Sequence, residues 1–127
     1  MASILIVDDS SAMRSVIKRI IKLSGFEMDT CFDACDGEDA LLALRRQAVD
    51  LVISDVNMPR MDGETLLREM FADPALCGIP VVIVSSDATE SRSSRLLELG
   101  ASAYLVKPFQ PQAFREKLER VLEGVHG

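Results

Sequence analysis

Apolar residues in this chain follow two periods, and the periods alternate along it. Short continuous runs at 4–7, 51–54, 80–84 and 103–106, with a weaker one at 28–32, read as strands. Runs such as ILIV and VVIV leave no polar face, so these strands are expected to be buried on both sides, as in a parallel sheet. Between them the period lengthens to that of a helix. Met13, Val16, Ile17, Ile20 and Ile21 recur at helical spacing, with Ser10 or Ser11 placed to cap the start and Gly25 just past the end. Ala40, Leu41 and Leu44 form a second stripe, and Leu66, Leu67 and Met70 a third. Phe114, Leu118, Val121, Leu122 and Val125 form the last. A fourth helix is predicted over 89–99, but its first turns read TESRSSR and only Leu96, Leu97 and Leu99 offer it grip. Five strand–helix units in 127 residues predict an α/β fold, a doubly wound five-stranded parallel sheet. No repeat, linker or low-complexity stretch divides residues 1–127, so one domain is expected.

Composition narrows the class. Nearly half of the residues are hydrophobic and about a quarter charged, which suits a soluble globular chain. No apolar run approaches the roughly 20 residues that span a bilayer, and no basic leader precedes the first strand, so a cytoplasmic protein without membrane contact is expected. The formal charge of −6 repels phosphate backbones and argues against direct nucleic-acid binding. Cys31, Cys35 and Cys77 are odd in number and lack the partners of a zinc site, so reduced, wholly or partly buried thiols are expected.

The polar residues that could carry chemistry fall at strand ends. Asp8 and Asp9 follow the first predicted strand, Asp55 the third, Ser85 the fourth and Lys107 the fifth. In an open parallel sheet these carboxyl ends share one edge, where ligands bind at the switch point of the topology. Strand order is not written in the sequence; with the order 2-1-3-4-5 the three aspartates converge. Taken singly, paired aspartates after a strand are often a turn or a helix cap, and a serine there is often a cap. Together they form a site that demands a cation, because adjacent carboxylates repel one another. Their hard oxygens suit Mg²⁺. Asp55 could then act as a carboxylate nucleophile toward a phosphoryl group, with Lys107 and the Ser85 hydroxyl offsetting charge on its oxygens.

At these residues the chain resembles the response-regulator receiver family, especially single-domain receivers of the CheY type. The likeness is carried by ILIVDDSSAMR at 4–14, DLVISDVNMPRMDG at 50–63, PVVIVSS at 80–86 and GASAYLVKPF at 100–109, nearly the whole chain. The resemblance implies the flavodoxin/CheY-like (βα)5 fold with order 2-1-3-4-5, of which CheY is itself a standard example. It implies Asp55 as phosphoacceptor, with Mg²⁺ held by Asp9, Asp55 and the Asn57 carbonyl, and by Asp8 through a metal-bound water. It further implies a salt-bridging Lys107 with a cis bond to Pro108, a switch hydroxyl at Ser85 and a rotating aromatic at Tyr104. Asn57 and Asp87, two positions beyond the phosphoacceptor and the switch serine, take the places that tune phosphoryl lifetime. The stretch 27–36 is the least family-like, with a two-residue excess over CheY.

Two classes follow from these residues. The first is a phosphorylation-controlled binding module, a monomer that takes its phosphoryl group from a histidine kinase and docks an output protein on helix 4, strand 5 and helix 5. It would catalyse only its own phosphorylation and dephosphorylation. The second is an aspartyl-phosphate phosphatase of haloacid-dehalogenase type, which wants a D-x-D motif after the first strand; here the aspartates are adjacent and no cap domain is evident. Met1 and an ending at the fifth helix favour a free-standing protein over an excised receiver or a relay's phosphate sink.

Overall fold

A computed structural model describes residues 3–25 and 28–126, the last five of them by backbone alone. Strands and helices alternate as β1 (Ser3–Val7), α1 (Ser11–Leu23), β2 (Thr30–Ala34), α2 (Gly37–Arg46), β3 (Leu51–Ser54), α3 (Gly63–Ala72), β4 (Val81–Ser85), α4 (Glu90–Glu98), β5 (Ala103–Val106) and α5 (Pro111–His126). All pairings are parallel, in the order β2-β1-β3-β4-β5. This is the doubly wound parallel sheet that the alternation predicts, in the flavodoxin/CheY-like order that the family resemblance implies.

Successive residues of each inner strand serve opposite faces, as the period of two requires. Leu5, Val7, Val52 and Ile83 pack against α2, α3 and α4 through Leu41, Leu67, Met70 and Leu96. Ile4, Ile6, Ile53 and Val84 pack against α1 and α5 through Ile17, Ile21, Phe114 and Leu118. Each such side chain fully buried contributes about 1.5–3 kcal/mol, so the two clusters hold the sheet edge rigid beneath the site.

Helix starts are capped from the sequence. Ser10 rather than Ser11 caps α1, accepting the Met13 N–H, while Asp36 and Asp62 cap α2 and α3. Thr89, before α4, makes no such bond. Gly25 stands at φ 79 just past α1, as expected of a helix stop.

Five expectations need correction. β2 begins at Thr30, two residues later than the weak apolar run at 28–32. It is an edge strand, and its register is set by pairing Thr30–Ala34 along Ser3–Val7 rather than by its own hydrophobicity. β4 likewise runs one residue later than 80–84, so Ser85 closes the strand instead of following it. Val16 is 47% exposed. It lies about 100° around the helix from Ile17, beyond the arc on which Met13, Ile17, Ile20 and Ile21 meet the sheet. Of the α4 leucines only Leu96 is buried; Leu97 faces solvent and Leu99, at the C-cap, is half-buried. Finally, Cys31 is half-buried, but Cys35 and Cys77 lie on exposed turns rather than in the core. Leu122 and Val125 lie outside the described side chains. Among the described residues no helix is long and apolar enough to cross a membrane.

Candidate functional site

The sheet register assembles the site. Val7 pairs with Ser54, so the next residues, Asp8 and Asp55, leave their strands side by side. The Asp55 N–H donates to the Val7 carbonyl at 2.9 Å, and the Asp8 N–H to Ala34 at 3.0 Å. On the other flank Ser85 pairs with Val106, and the Lys107 N–H donates to the Ser85 carbonyl at 2.8 Å. Four residues distant in sequence thus reach one edge through backbone ladders alone.

Asp8, Asp9 and Asp55 each offer an oxygen within 4.8 Å of the others. Asp8 is buried, Asp55 half-buried and Asp9 exposed. The Asp8 Oδ1 accepts the Ser10 N–H at 2.9 Å, whereas its buried Oδ2 has no hydrogen-bond partner among the described residues. Lys107 Nζ stands off from that oxygen at 3.6 Å and from the Asp55 Oδ2 at 3.7 Å. The other Asp55 oxygen accepts the Val56 N–H at 2.7 Å. Burial pushes the Asp8 carboxyl above its ordinary value; the Ser10 N–H opposes this, neighbouring Asp55 adds to it, and Lys107 opposes it again. Three carboxylates face one ammonium, an imbalance that a single divalent cation would neutralise.

Gly63 explains how the loop after Asp55 closes so tightly. A Cβ there would lie 2.2 Å from the Asp55 carbonyl oxygen, and the Gly63 N–H donates to Val56 at 2.8 Å. Between them Asn57 sits exposed on the β3–α3 loop.

Ser85 is buried, and its Oγ accepts the Asp87 N–H at 3.1 Å. Asp87 in turn bonds Thr89 by its carboxylate, to the N–H at 2.9 Å and the hydroxyl at 2.7 Å. Those two bonds hold the Asp87 carboxyl below its ordinary value. Tyr104, half-buried on β5, packs against the α2–α4 face of the core. The peptide bond from Lys107 to Pro108 is cis, as expected.

Sequence reasoning missed Arg14. Its Nη1 donates to the Asp8 carbonyl at 2.5 Å and its Nε to Asp33 at 3.0 Å, tying the β1–α1 turn to β2. Arg14 falls outside the apolar stripe of α1, and only the β1–β2 pairing reveals its partner.

Comparison with known proteins agrees with this fold. Residues 4–119 match the family described as response regulator receiver domain. The chain is 40% identical to the chemotaxis protein CheY of Pseudomonas aeruginosa over 98% of each chain. It is 37% identical to chemotaxis protein CheY-3 of Vibrio cholerae, over 94% of this chain and 91% of that one. Among solved structures, chemotaxis response regulator CheY4 of Vibrio cholerae superposes with a TM-score of 0.83 at 30% identity, covering 95% of this chain and 98% of the other. A receiver domain of a histidine kinase from Syntrophus aciditrophicus gives 0.84 at 33% identity, covering 98% and 92%. The chain therefore belongs to the response regulator receiver domain family and is a CheY-like receiver of two-component signalling.

Proposed function

We propose that Asp55 accepts a phosphoryl group from a histidine kinase in a Mg²⁺-dependent reaction, and that the modified chain then docks an output protein. The observation that carries this reading is the buried, unpartnered Oδ2 of Asp8 within a trio of carboxylates that Lys107 balances only in part. Such a cluster of hard oxygens fits Mg²⁺. Asp8, Asp9, Asp55 and the carbonyl of Asn57 would hold it. The ion, when bound, would supply positive charge for the acids and for the phosphoryl oxygens.

The remaining roles belong to the chain. An Asp55 carboxylate oxygen forms the new O–P bond as the P–N bond of the donor phosphohistidine breaks, and the departing imidazole keeps the electron pair and takes up a proton. Lys107, already 3.7 Å from Asp55, offsets charge on the transferred group. The Ser85 Oγ accepts a bond from Asp87, which leaves its own proton free to donate to a phosphoryl oxygen. Asn57 and Asp87 border the approach of a hydrolytic water and set the lifetime of the acyl phosphate. This is a signalling module rather than an enzyme acting on outside substrates. Adjacent Asp8–Asp9, in place of a spaced pair led by a nucleophile, separates it from a dehalogenase-type phosphatase.

Output would pass through α4, β5 and α5. A groove of about 450 Å³ there is lined by Leu97, Tyr104, Val106, Lys117 and Arg120 among others, and Leu97 and Val106 are exposed apolar residues. With a single buried leucine, α4 is held by fewer buried residues than α1, α2 or α3 and is suited to displacement. Phosphorylation would shift a pre-existing equilibrium at this face.

Incubation with phosphoramidate and Mg²⁺ tests the assignment. One hydroxylamine-labile label on Asp55 is expected, with none on Asp55→Asn; undiminished labelling of that variant would overturn it. Hydrogen exchange with the beryllofluoride mimic tests the output face. Protection should change more over 86–106 than in α1 and α2, and a change confined to the turns at Asp9 and Asp55 would remove the face from the proposal.

A further inference from the structure

Three residues beyond Asn57, on the same loop, Arg60 stands at φ 65. In that left-handed region a side chain's Cβ crowds the carbonyl, and a residue other than glycine pays for the conformation. Such strain persists only where the surroundings over-determine it.

The surroundings here are Asp36. Its side chain is 2% exposed at the start of α2, where one oxygen accepts the Asp39 N–H at 2.9 Å. The other accepts the Arg60 Nε at 2.5 Å, and the Arg60 Nη2 reaches the same oxygen. A buried carboxylate without its cation is costly, so the pair binds the loop to α2 firmly. A second tie lies beside it. The Gly37 N–H donates to the Met61 carbonyl at 2.9 Å, and a Cβ on Gly37 would stand 2.5 Å from the Met61 Cγ. With Gly63 packed on the Asp55 carbonyl, the loop is pinned on both sides of the stretch that carries Asn57.

We infer that Arg60 is a positioning residue: its pairing with Asp36 sets the β3–α3 loop so that the Asn57 carbonyl is presented to the acid cluster. The inference rests on the proposed Mg²⁺ site and adds Arg60 and Asp36 to the groups that determine its affinity. The competing role is purely structural, in which the pair only caps α2 and steadies the fold.

Calorimetric titration of the full chain with MgCl₂ separates the two, alongside thermal melts and phosphoramidate labelling rates. Arg60→Ala should weaken Mg²⁺ binding about tenfold, the low end of what outer-shell partners of a metal site cost. Arg60→Gly relieves the φ strain and keeps the fold, yet should bind Mg²⁺ as weakly as the alanine variant. Arg60→Lys keeps the charge without the fork and should recover part of the affinity. Saturating Mg²⁺ should return the labelling rate of all three toward wild type, because Asp55 and Lys107 are untouched. Mg²⁺ affinities of Arg60→Ala and Arg60→Gly within roughly twofold of a Mg²⁺-binding wild type, whatever their melting temperatures, overturn the inference alone. A wild-type chain that binds no Mg²⁺ overturns the site reading and this inference with it.

Discussion

The Tyr104 hydroxyl donates to the backbone carbonyl of Asp87 at 2.6 Å, which couples β5 to the turn leading into α4. The same Asp87 donates its N–H to the Ser85 Oγ, so Ser85, Asp87 and Tyr104 form one connected path from the end of β4 to β5. A Ser85 hydroxyl drawn toward a phosphoryl oxygen would strain the Asp87 turn and, through it, the tyrosine contact. Tyr104→Phe removes the last link without altering ring packing. It should cost about 1 kcal/mol in urea denaturation, the usual net worth of one hydrogen bond, and speed hydrogen exchange over 86–90. Unchanged exchange there would show that the contact does not restrain the turn.

Mg²⁺ should stabilise the fold. At a hundredfold excess over its dissociation constant the gain expected from linkage is about 2.7 kcal/mol, visible as a raised melting temperature. Asp9→Ala should lose both the shift and the phosphoramidate labelling, because it removes one carboxylate of the trio, and the fold should persist, because the Asp9 side chain is exposed. Full labelling of wild type in excess EDTA would remove the metal from the mechanism.

Asp87→Leu should lengthen the phosphoryl lifetime severalfold by hindering water, whereas Asp87→Asn, which preserves the turn with Thr89, should change it little. Decay of the labelled protein measured by mass spectrometry distinguishes these. Equal lifetimes for wild type and the leucine variant would place Asp87 off the water's path.

Acid stability should depend on Asp33. Burial pushes its carboxyl up, but Lys18 at 2.5 Å and Arg14 at 3.0 Å outweigh this and hold it below the ordinary value. A folded-state value below the unfolded one contributes stability that is present above the ordinary carboxylate range and lost as pH falls through the folded value. Asp33→Asn should therefore cost about 0.5 kcal/mol at neutral pH, the pair being partly solvated, and the deficit should shrink below about pH 4. A deficit that stays constant into strong acid would show that the ion pair is not its source.

The sequence by itself determined the number, kind and order of the elements, because a strand buried on both faces and a helix with one apolar arc leave periods that neighbouring residues alone define. It also placed Asp8, Asp9, Asp55 and Lys107 just past strand ends, where the geometry of an open parallel sheet gathers ligands. Tertiary structure decided what local periods do not encode. Pairing of Val7 with Ser54 put Asp8 against Asp55, and pairing along β1 fixed β2 two residues later than its own weak pattern suggested. Val16, an apolar residue at helical spacing, went to solvent because the width of the buried arc depends on what packs against it. Nothing in the local pattern singles out Arg14 or Arg60; folding brought the Asp8 carbonyl to one and the buried Asp36 to the other. Such contacts join residues as far as 24 positions apart, and only the closed sheet and its packed helices bring those partners within reach.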